Sequence, residues 1–466
     1  MSTIVAISTP HGVAGIAVAR VSGPEAVACV SRCWRGKPLA EMTTHTAHLG
    51  HILDIDGRLL DEVVLTLFRG PNSFTGEDVI ELSCHGSLWI QQQLVNRLTE
   101  CGARPALAGE FTRRAFVNKR LDLAQAEAIA DLLDAQGKTA HRVAMNQMKG
   151  AFTRQLADLR RQLLDLTTLV EVELDFSEED VEFADRAQLL SLVREIDGRL
   201  SRLASSYNTG QVIRDGVPVA IVGATNAGKS TILNALVGDD KAIVSDVHGT
   251  TRDLIEDTLL VNGILIRLVD TAGLRHTDDS VETIGIDRAL RQIEKANIVL
   301  WIIDATAYEA DIRSTFSNME PHIDRDRRLL AVINKRDLVD AERVDKLTSF
   351  VTSLLTMGDL DSQVVSISAH DEHDIAELKD RIAAMSGIPQ VDDNTVIVVN
   401  ARHYHALTAA RADLARVIDA LNSGLPTDLL TQDLRECLHH LGEITGGEIT
   451  ATEVLNNIFS RFCIGK

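Results

Sequence analysis

The chain changes hydrophobic period several times along its length. Predominantly apolar runs stand at 217–222 (VPVAIV), 264–269 (ILIRLV), 297–304 (NIVLWIID) and 329–333 (LLAVI), with a further strand from Val364 onward. Runs of this length, bounded by glycine or polar loops, predict strands buried on both faces, as in a parallel sheet covered by helices. The N-terminal part reads differently. Strands are expected at 3–7, 15–21 and 78–85, and 47–53 and 61–68 alternate as hairpin strands around Asp56 and Gly57. Helices are expected at 24–30, with Ser22 or Gly23 near its cap, and at 88–98. From 121 to about 208 the period is helical. Leu121, Ala124, Ala128, Leu132 and Leu133 fall on one stripe, and Leu156, Leu159, Leu163, Leu164 and Leu166 on another. Helical pattern resumes at 401–421 and 429–445, with Thr427 or Asp428 as the second cap, and a last helix is expected over 452–459.

A helical pattern that stops near 210 and resumes near 395 implies an inserted domain. The expected architecture is multidomain: an α+β N-terminal domain (1–119), a discontinuous α-helical domain (120–210 and 395–466) and an inserted α/β domain (217–388).

Composition narrows the class. The 466 residues, 45% hydrophobic and 4% aromatic, fit several soluble domains. Six scattered cysteines, of which only Cys29 and Cys33 are close, and the lack of a signal-peptide pattern or spanning run lead to the expectation of a reduced, cytoplasmic protein without membrane segments. The formal net charge of -20 argues against a simple electrostatic grip on nucleic acid. Residues 1–120 hold 12 basic and 11 acidic residues, so the deficit lies in the rest. If such a chain acts on tRNA, a basic partner supplies much of the phosphate contact. The stretch 171–185 has eight acids and no base, and suits either a solvated connection or a docking surface for a basic partner.

The chemistry centres on GATNAGKS at 223–230, a full G-x-x-x-x-G-K-[ST] match between a predicted strand and a predicted helix. Its glycines let backbone N–H groups curl around phosphate oxygens. Lys229 would reach the β- and γ-phosphates and Ser230 would ligate Mg²⁺. Asn226, Ala227, Gly228 and Thr231 complete the loop's contacts. DTAG at 270–273 (Asp270, Thr271, Ala272, Gly273) follows a strand, where the Asp can hold Mg²⁺ through water and the Gly N–H can meet the γ-phosphate. Asn334, Lys335 and Asp337 form N-K-x-D at the end of the next strand but one. A carboxylate at Asp337 accepts from guanine N1–H and the 2-amino group, which adenine cannot match. Ser368 and Ala369, in the segment SISA at 366–369, would bring a backbone N–H near the guanine oxygen. Together these motifs specify an inserted P-loop GTPase domain. After D-x-x-G stands Leu274, where Ras-like enzymes carry the water-orienting glutamine, so another group must orient water.

With these motifs on view, the chain resembles the MnmE (TrmE) family of tRNA-modifying GTPases from end to end. The resemblance implies that GTTRD at 249–253 is the first switch, with Thr251 on Mg²⁺. It implies a K⁺ site from Asn226, Ser245, Val247 and Thr250, the loop that also contacts GTP, in the place of an arginine finger. It also implies that Glu282, in VETIGI at 281–286, positions the attacking water. The N-terminal domain would bind 5,10-methylenetetrahydrofolate, or a formyl-tetrahydrofolate analogue, at a homodimer interface. Arg20, Glu81 and Arg120 fall on the folate-contacting positions, although the family commonly has Lys at the third, so Lys119 is an alternative there. The tail at 463–466 matches the family's C-[IL]-G-K, which makes Cys463 a candidate catalytic thiol beside Lys229 and Glu282, and Lys466 a folate contact. Thr225 stands where the family often has Pro. The family works with the FAD- and NADH-using MnmG, in a heterotetramer, to modify C5 of the tRNA wobble uridine. Rival readings are a ribosome-assembly GTPase, for which no basic RNA-binding module is visible, a switch that only recruits partners, and a folate-dependent aminomethyltransferase with a regulatory G domain.

Overall fold

The computed structural model describes residues 1–175, 186–237, 258–269, 293–324, 327–358, 361–423, 425, 428–447, 455, 458–460, 462 and 465. These form two compact units, one of residues 1–130, 147–197 and 409–466, the other of residues 131–146 and 198–408.

The first unit opens with β1 (Ile4–Ile7), β2 (Ile16–Ser22), α1 (Ala26–Ser31), β3 (Trp34–Arg35), β4 (Thr46–Leu53), β5 (Leu59–Phe68), β6 (Val79–His85), α2 (Leu88–Glu100), β7 (Arg104–Pro105) and α3 (Glu110–Val117). The sheet order is β3-β4-β5-β6-β2-β1-β7. Alternation decides its faces: Val63, Leu65 and Leu67 of β5 turn inward with Leu94 and Leu98 of α2 and Val30 of α1. The expected cap of α1 is corrected. Ser22 ends β2 fully buried, its hydroxyl bonded to Thr75 and Glu77, so Glu25 takes the N-cap position without a side-chain bond.

The long helical stretch is divided into α4 (Leu123–Asp134), α5 (Lys138–Met148), α6 (Ala151–Asp175) and α7 (Arg186–Asp215). The breaks fall at glycines 137 and 150. On α6, Leu156, Leu159, Leu163, Leu166 and Val170 are buried, whereas Leu164 is 46% exposed. Leu164 was expected in this stripe, but the 3.6-residue period puts it on the outer side. The α6 helix covers the first residues of the acidic stretch, and residues 176–185 lie outside the described ones.

The inserted domain comprises β8 (Val217–Gly223), α8 (Lys229–Val237), β9 (Thr258–Val261), β10 (Ile264–Leu268), β11 (Ile298–Asp304), α9 (Glu309–Met319), β12 (Arg328–Asn334), α10 (Ala341–Met357), β13 (Asp361–Ser366) and α11 (Glu372–Met385). Its sheet runs β13-β12-β11-β8-β10-β9, parallel except for the β9–β10 hairpin. One face packs on α8 and α11, the other on α9 and α10, so both faces of the central strands are buried. This is why those strands are apolar without alternation. Loops at the strand C-terminal ends are where a doubly wound sheet places its ligands.

Helices α12 (Ala401–Asn422) and α13 (Asp428–Thr445) follow, with α13 packed along α6, and most of the helix expected over 452–459 lies outside the described residues. Where α7 runs into the inserted domain it lies against the returning chain at 396–404. The Ser206 hydroxyl accepts from the Val398 N–H at 3.0 Å, Arg214 donates to the Val399 carbonyl at 3.1 Å, and the rings of Tyr207 and Tyr404 stack at 4.6 Å. Gly210 allows this, since a Cβ there would stand 2.0 Å from the Val398 carbonyl oxygen. The fold is therefore multidomain, with an α+β N-terminal domain, a helical domain discontinuous in sequence, and an inserted α/β domain of P-loop type. Among the described residues, no helix is long and apolar enough to cross a membrane.

Candidate functional site: the phosphate loop and the N-terminal sheet

The phosphate loop joins the end of β8 to the start of α8. Asn226 (φ 62°) and Gly228 (φ 95°) adopt left-handed backbone, which curls the loop into a concave turn suited to an anion. Gly228 is required twice over, because a Cβ there would also sit 2.1 Å from Asn334 Nδ2. Lys229 Nζ donates to the loop's own Gly223 and Ala224 carbonyls at 2.9 and 2.8 Å. Burial holds its ammonium below the usual lysine value. Ala227 is buried, and Ser230 and Thr231 are exposed on the first turn of α8.

Asn334, 2% exposed at the end of β12, ties two loops together. Its Nδ2 donates to the Ala227 carbonyl at 3.0 Å, and its Oδ1 accepts from the Ala369 N–H at 3.1 Å. The phosphate loop and the SISA segment are thus joined by one amide. Lys335, in left-handed backbone (φ 63°), pairs with Asp304 Oδ2 at 2.6 Å. Burial alone would raise the Asp304 carboxyl, but hydrogen bonds from Lys335 and Thr306 bring it below its ordinary value. Asp337 is exposed, and a hydrogen bond with Ser368 holds its carboxyl low. Asp374, 1% exposed, accepts from the Ser368 N–H and pairs with Arg336, both at 2.7 Å, which orders the same segment. An open cleft of about 810 Å³ borders Asp337, Ser368 and His370.

The structure therefore brings Asn226, Ala227, Gly228, Lys229, Asn334, Ala369, Asp337 and Ser368 to the C-terminal edge of one sheet. Ser245, Val247, Thr250, Thr251, Asp270, Thr271, Ala272, Gly273 and Glu282 lie outside the described residues. Sequence reasoning gave Asp304 no role. The signal was its position at a strand end, and the register pairs it with Asn334 across β11 and β12.

In the N-terminal sheet, Arg20 of β2 stands opposite Glu81 of β6 and donates to its Oε1 through Nε (2.9 Å) and Nη2 (2.8 Å). Its guanidinium also lies 5.3 and 5.7 Å from the ring centroids of Phe74 and Phe111. Arg120 is exposed, and its side-chain stem lies beside Gly76. The neighbouring Lys119 is exposed too, in left-handed backbone. Gly465 of the C-terminal tail reaches this place, its carbonyl accepting from the Ser8 hydroxyl at 3.0 Å. Cys463 and Lys466 lie outside the described residues. The same domain holds a network that the sequence did not disclose: the buried Arg114 bonds Glu77 and Glu110, and the exposed Arg104 bonds Glu110. The i, i+4 spacing of Glu110 and Arg114 was its only local trace. Burial pushes the Glu110 carboxyl up, but hydrogen bonds from Arg104, the Leu107 N–H and Arg114 outweigh it and hold it at about 2.

A phosphate loop, an N-K-x-D strand end and a stabilised SISA segment on a doubly wound sheet define a P-loop GTP-binding domain, here carried as an insert. A family model described as the MnmE helical domain matches residues 123–463, and one described as the GTP-binding protein TrmE N-terminus matches residues 3–120. The tRNA modification GTPase MnmE of Parabacteroides distasonis is 47% identical over 471 residues, covering 100% of both chains. That of Bacteroides thetaiotaomicron is 45% identical over 468 residues, covering 100% of this chain and 99% of that protein. Among solved structures, a GTP-binding protein from Sulfolobus solfataricus in complex with GDP is 19% identical. It covers 49% of this chain and 66% of that chain at a TM-score of 0.28. The chain belongs to the MnmE (TrmE) family of tRNA modification GTPases.

Proposed function

We propose that this chain is a K⁺-activated, homodimeric cytoplasmic GTPase that works with the FAD-dependent partner MnmG. Together they add an aminomethyl or carboxymethylaminomethyl group to C5 of the tRNA wobble uridine. GTP hydrolysis gates this assembly and is separate from the modification chemistry. The division of labour follows residues 1–119 for folate binding and dimerisation, 217–388 for GTP, and 120–210 with 395–466 for the helical frame.

The observation that carries the nucleotide reading is the Asn334 bridge between the phosphate loop and the SISA segment. It couples the loop that would hold phosphate to the segment that would meet guanine. Lys229 satisfies its charge on two loop carbonyls, and phosphate oxygens are the stronger partner for a buried ammonium. Ser230 and Thr251 would hold Mg²⁺, and Asn226, Ser245, Val247 and Thr250 would hold K⁺; the left-handed Asn226 fits a loop that wraps a cation. Bound there, the two ions supply positive charge where the phosphates develop negative charge. Glu282 orients the water that Leu274 cannot. In the N-terminal domain, Arg20, Glu81, Arg120 or Lys119, and Lys466 would hold the folate, with Cys463 as the thiol. The paired Arg20 and Glu81 beside two phenylalanines suit a flat heterocycle that both donates and accepts hydrogen bonds.

The test is GTP turnover by the full chain at fixed ionic strength in KCl and in NaCl. Marked stimulation by K⁺ that is lost in Glu282→Ala is expected. Equal, very slow turnover in both salts would sink the potassium mechanism and favour a switch that only recruits partners.

A further inference from the structure

We infer that Ser8 is a positioning residue that seats the C-terminal tail, through the Gly465 backbone, beside Arg20. This rests on the reading of the tail given above. Two contacts hold described residues of the tail. Phe459 and Phe462 pack with Phe116 and Leu123, the Phe459 ring lying 5.4 Å from that of Phe462 and 6.3 Å from that of Phe116. The second tie is at Gly465, whose carbonyl accepts from Ser8 Oγ at 3.0 Å, while Arg20 Nη1 reaches the same oxygen at a longer 3.5 Å.

The seat is built for a residue without a side chain. A Cβ on Gly465 would stand 2.3 Å from the Ile7 carbonyl oxygen and 2.9 Å from Ser8 Cα, both backbone atoms that cannot turn aside. The backbone of Gly465 (φ 98°) is itself one that a side chain opposes. Ser8 is fixed in turn: its N–H donates to the Val18 carbonyl at 2.7 Å, directly after β1. The hydroxyl therefore projects from a rigid strand end, two residues along β2 from Arg20. A single neutral hydrogen bond from such an anchor shifts a local equilibrium about five-fold. A shift of that size changes how much of the time Gly465 is seated beside Arg20.

The experiment uses the full chain with tRNA and the flavoprotein partner, comparing wild type, Ser8→Ala, Ser8→Thr and Gly465→Ala. Alkylation of Cys463 by iodoacetamide is followed by peptide mass spectrometry; Cys29, Cys33, Cys84, Cys101 and Cys437 are buried and serve as internal references. Ser8→Ala should raise the Cys463 labelling rate about five-fold and lower wobble-uridine modification, with GTP turnover unchanged. Ser8→Thr, which keeps the hydroxyl, should restore both, and Gly465→Ala should reproduce the defect. Unchanged labelling in both Ser8→Ala and Gly465→Ala overturns the seat. Faster labelling with full modification overturns the positioning role. A Cys463→Ser chain that still modifies tRNA instead overturns the underlying reading of the tail.

Discussion

Replacing Asn334 with Ala tests whether one side chain holds the nucleotide site together. The amide is 2% exposed and bonds the Ala227 carbonyl and the Ala369 N–H. Its removal leaves both backbone groups without that partner, at about 1–3 kcal/mol each. Taking about 1.5 kcal/mol for each group gives about 3 kcal/mol in total. The loss falls first on the inserted domain, whose Tm should drop by roughly 6–12 °C, at 2–4 °C per kcal/mol for a domain of this size. It falls second on affinity, because loops no longer tied must be re-ordered when nucleotide binds. GDP affinity should fall at least about ten-fold, measured by equilibrium titration with a fluorescent GDP, alongside differential scanning calorimetry. Asn334→Asp keeps the acceptor for the Ala369 N–H but turns an oxygen towards the Ala227 carbonyl, so it should fail on the phosphate-loop side alone. A Tm within about 2 °C of wild type, with unchanged GDP affinity in Asn334→Ala, would refute the bridge as the organising contact.

Two further outcomes are expected. Asp337→Asn exchanges an acceptor for a donor where the proposed reading puts the base, so guanine nucleotide affinity should fall about a hundred-fold or more while xanthine nucleotide gains. Competition binding with GDP and XDP measures this, and an unchanged preference for GDP would remove Asp337 from base recognition. Glu110→Gln should destabilise the N-terminal domain by about 3 kcal/mol at most at neutral pH. The carboxyl sits at about 2 when folded against an ordinary 4.5, so its contribution is full above 4.5 and is lost as pH falls towards 2. Urea unfolding of both chains, followed by Trp fluorescence in a Trp301→Phe background, should give curves that differ most at pH 7 and converge below pH 4.5. A gap that stays constant down to pH 3 would contradict the assignment.

Within the described residues, the phosphate loop and the strand end at 334–337 were legible in the sequence because their pattern is local. A phosphate loop needs glycines at fixed spacing, and a strand buried on both faces cannot alternate, so 217–230 and 329–337 announced themselves. The bridge between them did not, since Asn334 and Ala227 are brought together only by the strand order β12-β11-β8. The Ser8 contact with Gly465 spans almost the whole chain and leaves no periodic trace. Local errors have local causes. Ser22 looked like a helix cap because its type suits one, but tertiary bonds to Thr75 and Glu77 claimed its hydroxyl. Leu164 looked like core because leucines are dense there, and only the 3.6-residue phase separates it from Leu163. The helical region was recognised as a whole, but glycines 137 and 150 were not read as its breaks.

The clasp of α7 on residues 396–404 has a consequence for how such a chain could arise and be rebuilt. A module spliced into a host is tolerated best when its two ends emerge side by side, because the host then closes over a short gap with little loss of chain entropy. Ser206, Tyr207, Gly210 and Arg214 hold the outgoing strand of chain against Val398, Val399 and Tyr404 of the incoming one. The two chain segments that lead into and out of the inserted domain are therefore fastened to each other within the same compact unit as that domain, so the gap left for the rest of the chain to close is short.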